Sequence, residues 1–345
     1  MHKKLFAVLM LAFFAVGCSD KPSLVIYTWS GMFPAEVISG FENDTGIRIR
    51  YVNFDYNETM LARLTSERRG NYDLVIADDY ILENVILEGL AQKIDITRLS
   101  NYGNINPFYQ QQFYDPTDEY TIPYGAGVQT IVYDQDLTGM PIRGYTDLLH
   151  PALVNRIGII DNYRVINGMA LKMMGQSYNT NDPDVIRRAG EYLRTFAPNI
   201  RLIRDDRLDD ELLAGEISAA VMYTDMVTRA KMERPELQVV FPAEGIGFGI
   251  MAAFIPSNAP NADAAYLFLD YILDAERGAG CFEYLGYYST FSASDPYINE
   301  EYRDFLTLPE DFWGFTSMEM IQNVNDEARS LHNLIWTEFK SAAGQ

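Results

Sequence analysis

The chain has 345 residues, with 27 Lys and Arg against 48 Asp and Glu, a formal net charge of −21. At roughly 100–200 residues per domain this length suits two globular domains. The acidic balance excludes a grip on nucleic-acid phosphates and docking on anionic lipid, because both need a basic face. It fits either a well-solvated surface or a protein that attracts cations.

Lys3 and Lys4 precede a twelve-residue apolar run, Leu5 to Val16. That run is shorter than the ~20 residues needed to span a bilayer and fits the core of a secretory signal. It ends Ala15-Val16-Gly17-Cys18, and small residues directly before a Cys resemble a bacterial lipobox, although Ala15 stands where Leu is usual. Residues 1–17 are therefore expected to be removed and Cys18 to carry the lipid, the only membrane attachment expected. With Cys18 modified, Cys281 has no partner for a disulfide. Its setting, Ala279-Gly280-Cys281-Phe282, predicts a buried, inert thiol.

From Leu24 strand and helix patterns alternate. Leu24–Trp29 is a short apolar strand, and Pro34–Asp44 an amphipathic helix with Gly46 just past its end. Ile47–Phe54 alternates as a strand, and Asn57–Gly70 is helical with Asn57 as a candidate N-cap. Tyr72–Ala77 is a buried strand and Tyr80–Gly89 a helix. This order implies a parallel sheet covered on both faces. Tyr120–Asp134 is extended but broken by Gly125 and Gly127. A second α/β series follows: a strand at Ile157–Asp161, helices near 164–175, 184–197 and 209–215, a strand at Ile217–Tyr223 and a helix at 225–233. Val239–Pro242 and Phe248–Pro256 are strands again, and the chain is mainly helical after Pro260.

Two α/β units are thus expected, with crossings near 121–130 and 243–250. In open α/β sheets ligands sit beyond the carboxyl ends of the strands. Those ends are Trp29-Ser30, Asp78-Asp79-Tyr80, Asp161-Asn162 and Tyr223-Thr224-Asp225, rich in aromatics and carboxylates and without a basic residue.

Enzyme motifs fail one by one. Past the leader, His150 and His332 are the only histidines, and neither has metal-ligand spacing. There is no nucleophile elbow and no P-loop. Gly245-Ile246-Gly247-Phe248-Gly249 precedes a strand where a dinucleotide loop follows one, so it reads as a hinge. Asp134-Gln135-Asp136 begins like a calcium loop, but its twelfth position is Tyr145 instead of Glu. No metal and no cofactor is expected. Singly, Trp29 could be structural, Asp78, Asp79 and Asp225 could be helix caps, and Tyr223 a core residue. Together they offer carboxylates for charge-assisted hydrogen bonds and ring faces for methylenes, the set an amine cation wants.

Leu24-Val25-Ile26-Tyr27-Thr28-Trp29-Ser30, Phe41-Glu42-Asn43-Asp44-Thr45-Gly46-Ile47, Tyr72-Asp73-Leu74-Val75-Ile76, Tyr120-Thr121-Ile122-Pro123-Tyr124 and Leu285-Gly286-Tyr287 resemble, in order and spacing, the periplasmic spermidine/putrescine-binding proteins, the substrate-binding subunits of polyamine ABC importers. The resemblance implies a two-lobed α/β periplasmic-binding-protein fold, each lobe a mixed sheet flanked by helices, with a ligand cleft between lobes that close by hinge motion. On the chain this places lobe 1 at 18–126 and 245–290, and lobe 2 at 127–244 and 291–345. It implies a polyamine ligand, a permease partner, a periplasmic location and a monomer, with no reaction catalysed. Carried over, Trp29, Ser30, Asp78, Tyr80, Tyr223, Asp225, Tyr287 and Gln322 match or neighbour the family's cleft positions, and Asp79 and Asp161 join them as strand-end acids. Four positions depart: Asn162 and Val165 replace an acidic pair, and Gly249 and Met251 replace a Trp and an Asp that clamp the amine. The departures leave open another small ligand, such as an amino acid derivative, a sugar or a metal ion, or a sensory or adhesive lipoprotein on the same fold.

Overall fold

The computed structural model describes residues 22–66, 70–306 and 317–345. The expected leader and Cys18 lie outside the described residues. The first series is β1 (Ser23–Thr28), α1 (Ala35–Thr45), β2 (Arg48–Asn53), α2 (Asn57–Ser66), β3 (Leu74–Asp78) and α3 (Asp79–Leu87). β1 runs parallel to both β2 and β3. β1 and β3 are near-continuous apolar runs, as parallel strands covered on both faces must be. β2 lies at the sheet edge, where Arg48 and Arg50 discourage further pairing. Gly46 ends α1 at φ 72°, a left-handed turn that suits glycine.

β4 (Thr121–Tyr133) is one continuous strand of 13 residues, all buried, and not the broken pair that Gly125 and Gly127 suggested. Those glycines serve close packing. A Cβ at Gly125 would stand 2.8 Å from Met251 Cε, and one at Gly127 2.8 Å from the Tyr287 ring. The second series is α4 (Gln135–Thr138), β5 (Ile157–Ile159), α5 (Tyr163–Met173), α6 (Pro183–Leu193), β6 (Ile200–Ile203), α7 (Leu208–Leu213), β7 (Ala219–Tyr223), α8 (Thr224–Glu233) and β8 (Gln238–Val240). α6 stops at Leu193, short of the expected 197, and continues as a tighter 3₁₀ turn over Arg194–Asn199 that contains Pro198. β9 (Gly247–Phe254), α9 (Ala262–Ile272), α10 (Ala275–Leu285), α11 (Glu300–Leu306), β10 (Glu319–Met320) and α12 (Asp326–Ala342) complete the chain.

Among the described residues the strand order is β2-β1-β3-β9-β4-β7-β5-β6, with β8 on β4 and β10 on β9. The sheet is mixed. β9 is antiparallel to β3 and β4, and β4 is antiparallel to β7. β4 pairs with β9 up to Val128 and with β7 from Gln129, so it passes from one half of the molecule to the other at that point. Two of the hydrophobic cores among the described residues flank it. One gathers Leu24, Phe41, Leu74, Phe268 and Phe282. The other gathers Ile157, Ile166, Leu193, Val221 and Phe339. Between them a small cluster of Tyr109, Val128, Phe248, Ile250 and Tyr288 wraps the two crossing strands. A third passage follows at 317–321, where β10 runs beside β9 before α12 packs on the second core. The expected return at 291 is late in the structure: Phe291, Ile298 and Leu306 pack in the first core.

Candidate functional site

A cavity of about 1000 Å³ opens where the strand ends of the two halves face one another. Trp29, Ser30, Asp78, Asp79, Tyr80, Asp161, Tyr223, Asp225 and Tyr287 all line it. Gln322 does not. Its side chain is exposed and its backbone N–H donates to Asn179 Oδ1 at 2.8 Å, so this predicted site residue stands apart from the others. Asn162, Val165, Gly249 and Met251, the four departures, also form part of the wall.

The aromatic positions follow from the strand ends. Trp29 comes one residue after β1 and packs on Phe54 with ring centroids 4.9 Å apart. Tyr223 closes β7, and its hydroxyl accepts from Asn162 Nδ2 at 2.9 Å. Asn162 Oδ1 in turn accepts from the N–H groups of Arg164 and Val165 and caps α5. Burial first, and the neighbouring carboxylates after it, push the Tyr223 and Tyr287 phenols well up, so both remain hydrogen-bond donors.

The acids differ in what holds them. Asp78 stands at the N-cap position of α3 but makes no cap bond with its side chain. Its Oδ2 instead accepts from Asn57 Nδ2 at 2.8 Å. Burial pushes its carboxyl from the usual 3.8 to about 6, against the Asn57 hydrogen bond and with Glu58 adding to the rise. Asp79 is 2% exposed and is used by the backbone: it accepts from Ile250 N–H at 3.0 Å and Tyr80 N–H at 2.8 Å. It thereby ties α3 to β9. Asp161 accepts from Trp336 Nε1 at 3.0 Å and lies 3.3 Å from Lys340 Nζ. Asp225 pairs with Arg229 at 2.9 Å through Oδ2, while its buried Oδ1 has no partner.

Sequence reasoning missed several wall residues. Glu58 Oε1 accepts from the Tyr80 hydroxyl at 3.3 Å and from the Tyr163 hydroxyl at 3.1 Å, joining α2 and α3 to α5 across the cavity. Asp205 lies between β6 and α7, open to the cavity. Protein close around it, followed by Asp161, Asp78 and Asp225, raises its carboxyl from 3.8 to about 7. The wall also holds three cations, Arg164, Arg229 and Lys340, carried on helices and so absent from the strand-end loops. The i,i+4 spacing of Asp225 and Arg229 on α8 was the one sequence signal for any of them. Among the described residues the wall thus sets seven carboxylates against three cations.

Features outside the cavity take structural places. Burial pushes the Cys281 thiol up to about 12. His332 is buried in the second core, where desolvation lowers its imidazole to about 3. Asp134 caps α4 and pairs with Arg234 at 3.2 Å. Among the described residues no group of three or more His, Cys, Asp or Glu is arranged to hold a metal, and no helix is long and apolar enough to cross a membrane.

A two-lobed sheet with a cavity at the crossing strands defines a class, and the sequence comparison agrees with it: residues 36–304 match the bacterial extracellular solute-binding protein family, to which this chain belongs. Within it the chain is similar to the spermidine/putrescine-binding periplasmic protein of Salmonella typhimurium, 29% identical over 326 residues and 94% of each chain. The protein of the same name from Escherichia coli K12 is 29% identical over 311 residues, 90% of this chain and 89% of that one. A solved Listeria monocytogenes structure assigned to spermidine/putrescine ABC transport matches with a TM-score of 0.86 at 26% identity, covering 93% of this chain and 99% of that one. The expected family and fold class therefore stand.

Proposed function

We propose that this chain is the solute-binding subunit of an ABC importer, anchored by a lipid on Cys18, and that it carries a polyamine such as putrescine or spermidine to a membrane permease. The observation that carries the reading is the excess of carboxylates in the wall: burial, with Glu58 adding to it, holds Asp78 toward its protonated form, and the surrounding protein with the charges of Asp161, Asp78 and Asp225 does the same for Asp205. A bound ammonium relieves that repulsion and lets both ionise. Trp29, Tyr80, Tyr223 and Tyr287 offer ring faces to the methylenes between the amines. The names of the relatives support the same ligand class. The two halves close on the ligand about the strands near Val128 and Phe248, one copy of the chain to one ligand, and no bond is made or broken. Mass spectrometry of small molecules released by denaturing gently purified protein tests this. A diamine or triamine is expected, and a sugar or a metal ion contradicts it.

One observation favours a second reading. Arg164 is 3% exposed and, among the described residues, reaches only Tyr178 O and Asn179 Oδ1, with no carboxylate partner. A wall with an unpaired guanidinium suits a ligand bearing a carboxylate as well as amines. Ornithine, which is putrescine plus a carboxylate, distinguishes the two: tighter binding of ornithine than of putrescine favours this second reading.

A further inference from the structure

We infer that Asp205 is the carboxylate of the second half that receives an ammonium group of the ligand, opposite Asp78 in the first half. The inference rests on the polyamine reading and names a residue that neither strand-end pattern nor resemblance selected.

The assignment follows from what each acid of the wall already holds. An ammonium needs acceptor oxygens that are free and reachable. Both Asp79 oxygens accept backbone N–H groups. Asp161 has Lys340 beside it and Trp336 Nε1 on Oδ1, so its charge is met from within the protein. Asp225 spends Oδ2 on Arg229, which also grips Asp209, and its unpartnered Oδ1 is buried out of a ligand's reach. Glu58 accepts two tyrosine hydroxyls on Oε1 alone, but it stands on α2 in the first half beside Asp78 and supplies no charge from the second half. Asp78 keeps Oδ1 free beside the neutral Asn57.

Asp205 is in a different position from all of these. It has no hydrogen bond or ion pair among the described residues, and it is open to the cavity. The charges next to it in sequence are satisfied among themselves, Arg204 by Asp206 at 3.1 Å and Glu211 at 3.0 Å. It lies within electrostatic reach of Asp78, Asp161 and Asp225, and of the Tyr223 and Tyr287 rings. A cation placed there meets the carboxylate fields of both halves and two ring faces at once. Asp55, the other unpartnered acid of the wall among the described residues, is exposed like Asp205 but lies in the first half, on the loop between β2 and α2, and is not among the charges that act on Asp78, Tyr223 or Tyr287.

Calorimetric titration of putrescine into the wild-type protein and into Asp205→Asn, Asp206→Asn and Asp55→Asn tests the assignment. The Asn side chain keeps the shape and removes the charge. Losing one charge-assisted contact predicts about thirtyfold weaker binding for Asp205→Asn. Asp206→Asn, outside the cavity, is expected to bind within about threefold of wild type. Thermal melts of the variants show that they fold. Binding by wild type with Asp205→Asn within about threefold of it overturns the assignment alone, as does a loss confined to Asp55→Asn. Absence of binding by the wild type to any diamine or triamine overturns the polyamine reading, and the assignment with it.

Discussion

The two walls of the cavity are built alike and charged differently. In the first half β3 runs into α3 through Asp78 and Asp79; in the second, β5 and β7 run into α5 and α8 through Asp161-Asn162 and Tyr223-Thr224-Asp225. Every one of these junctions sets a carboxylate at a helix N-terminus, where the aligned backbone dipoles favour negative charge. Yet the first half surrounds Asp78 and Asp79 with neutral partners, Asn57 and backbone N–H groups. The second half neutralises Asp161 with Lys340 and Asp225 with Arg229. A strand-end carboxylate is therefore not by itself a ligand group. What it can hold depends on which other helix supplies its partner. The free negative charge gathers at Asp78 and Asp205.

The contrast can be broken most severely at Asp79. Asp79→Ala leaves the N–H groups of Ile250 and Tyr80 without acceptors in a buried setting. Lowering of unfolding free energy by about 2–4 kcal/mol is expected in denaturant titration. Next in size is the difference between matched substitutions in the two walls. Asp78→Asn is expected to weaken putrescine binding by about thirtyfold, and Asp225→Asn by less than about fivefold, because Arg229 already cancels that charge. Equal losses would mean that the walls do not differ as described.

A smaller effect follows from protonation. In the folded state Asp78 and Asp205 titrate near 6 and 7, above the usual 3.8. The folded state therefore binds more protons than the unfolded one between pH 4 and 7, so ligand-free stability falls as pH rises through that window. Melting temperatures across it should decline without ligand and flatten with saturating putrescine. Smaller again is Lys340→Met, which frees Asp161 for a ligand amine. A gain of about threefold to tenfold for spermidine relative to putrescine is expected by calorimetry. Gln322→Ala, outside the cavity, should change neither affinity.

Much of this was legible in the sequence where the signal is local. The apolar runs of β1 and β3, and the Asp78-Asp79-Tyr80 and Tyr223-Thr224-Asp225 junctions, follow from strand and helix periodicity within a few residues. The partners that decide each acid's chemistry lie far away in the chain. Lys340 is 179 residues from Asp161, and Tyr163 is 105 residues from Glu58. Asp205, in Arg204-Asp205-Asp206-Arg207, looks like an ordinary solvated turn until β6 and β7 place it among other carboxylates. Gly125 and Gly127 read as breaks because the Met251 and Tyr287 side chains that require them come more than 120 residues later.

The most direct measurement is calorimetric titration of putrescine into the lipid-free chain at about pH 8 and about pH 5. Saturable one-to-one binding at the higher pH is predicted, weakened at least about tenfold at the lower, where Asp78 and Asp205 are protonated. No binding, or equal affinity at the two pH values, would contradict a cavity that recognises amines through these carboxylates.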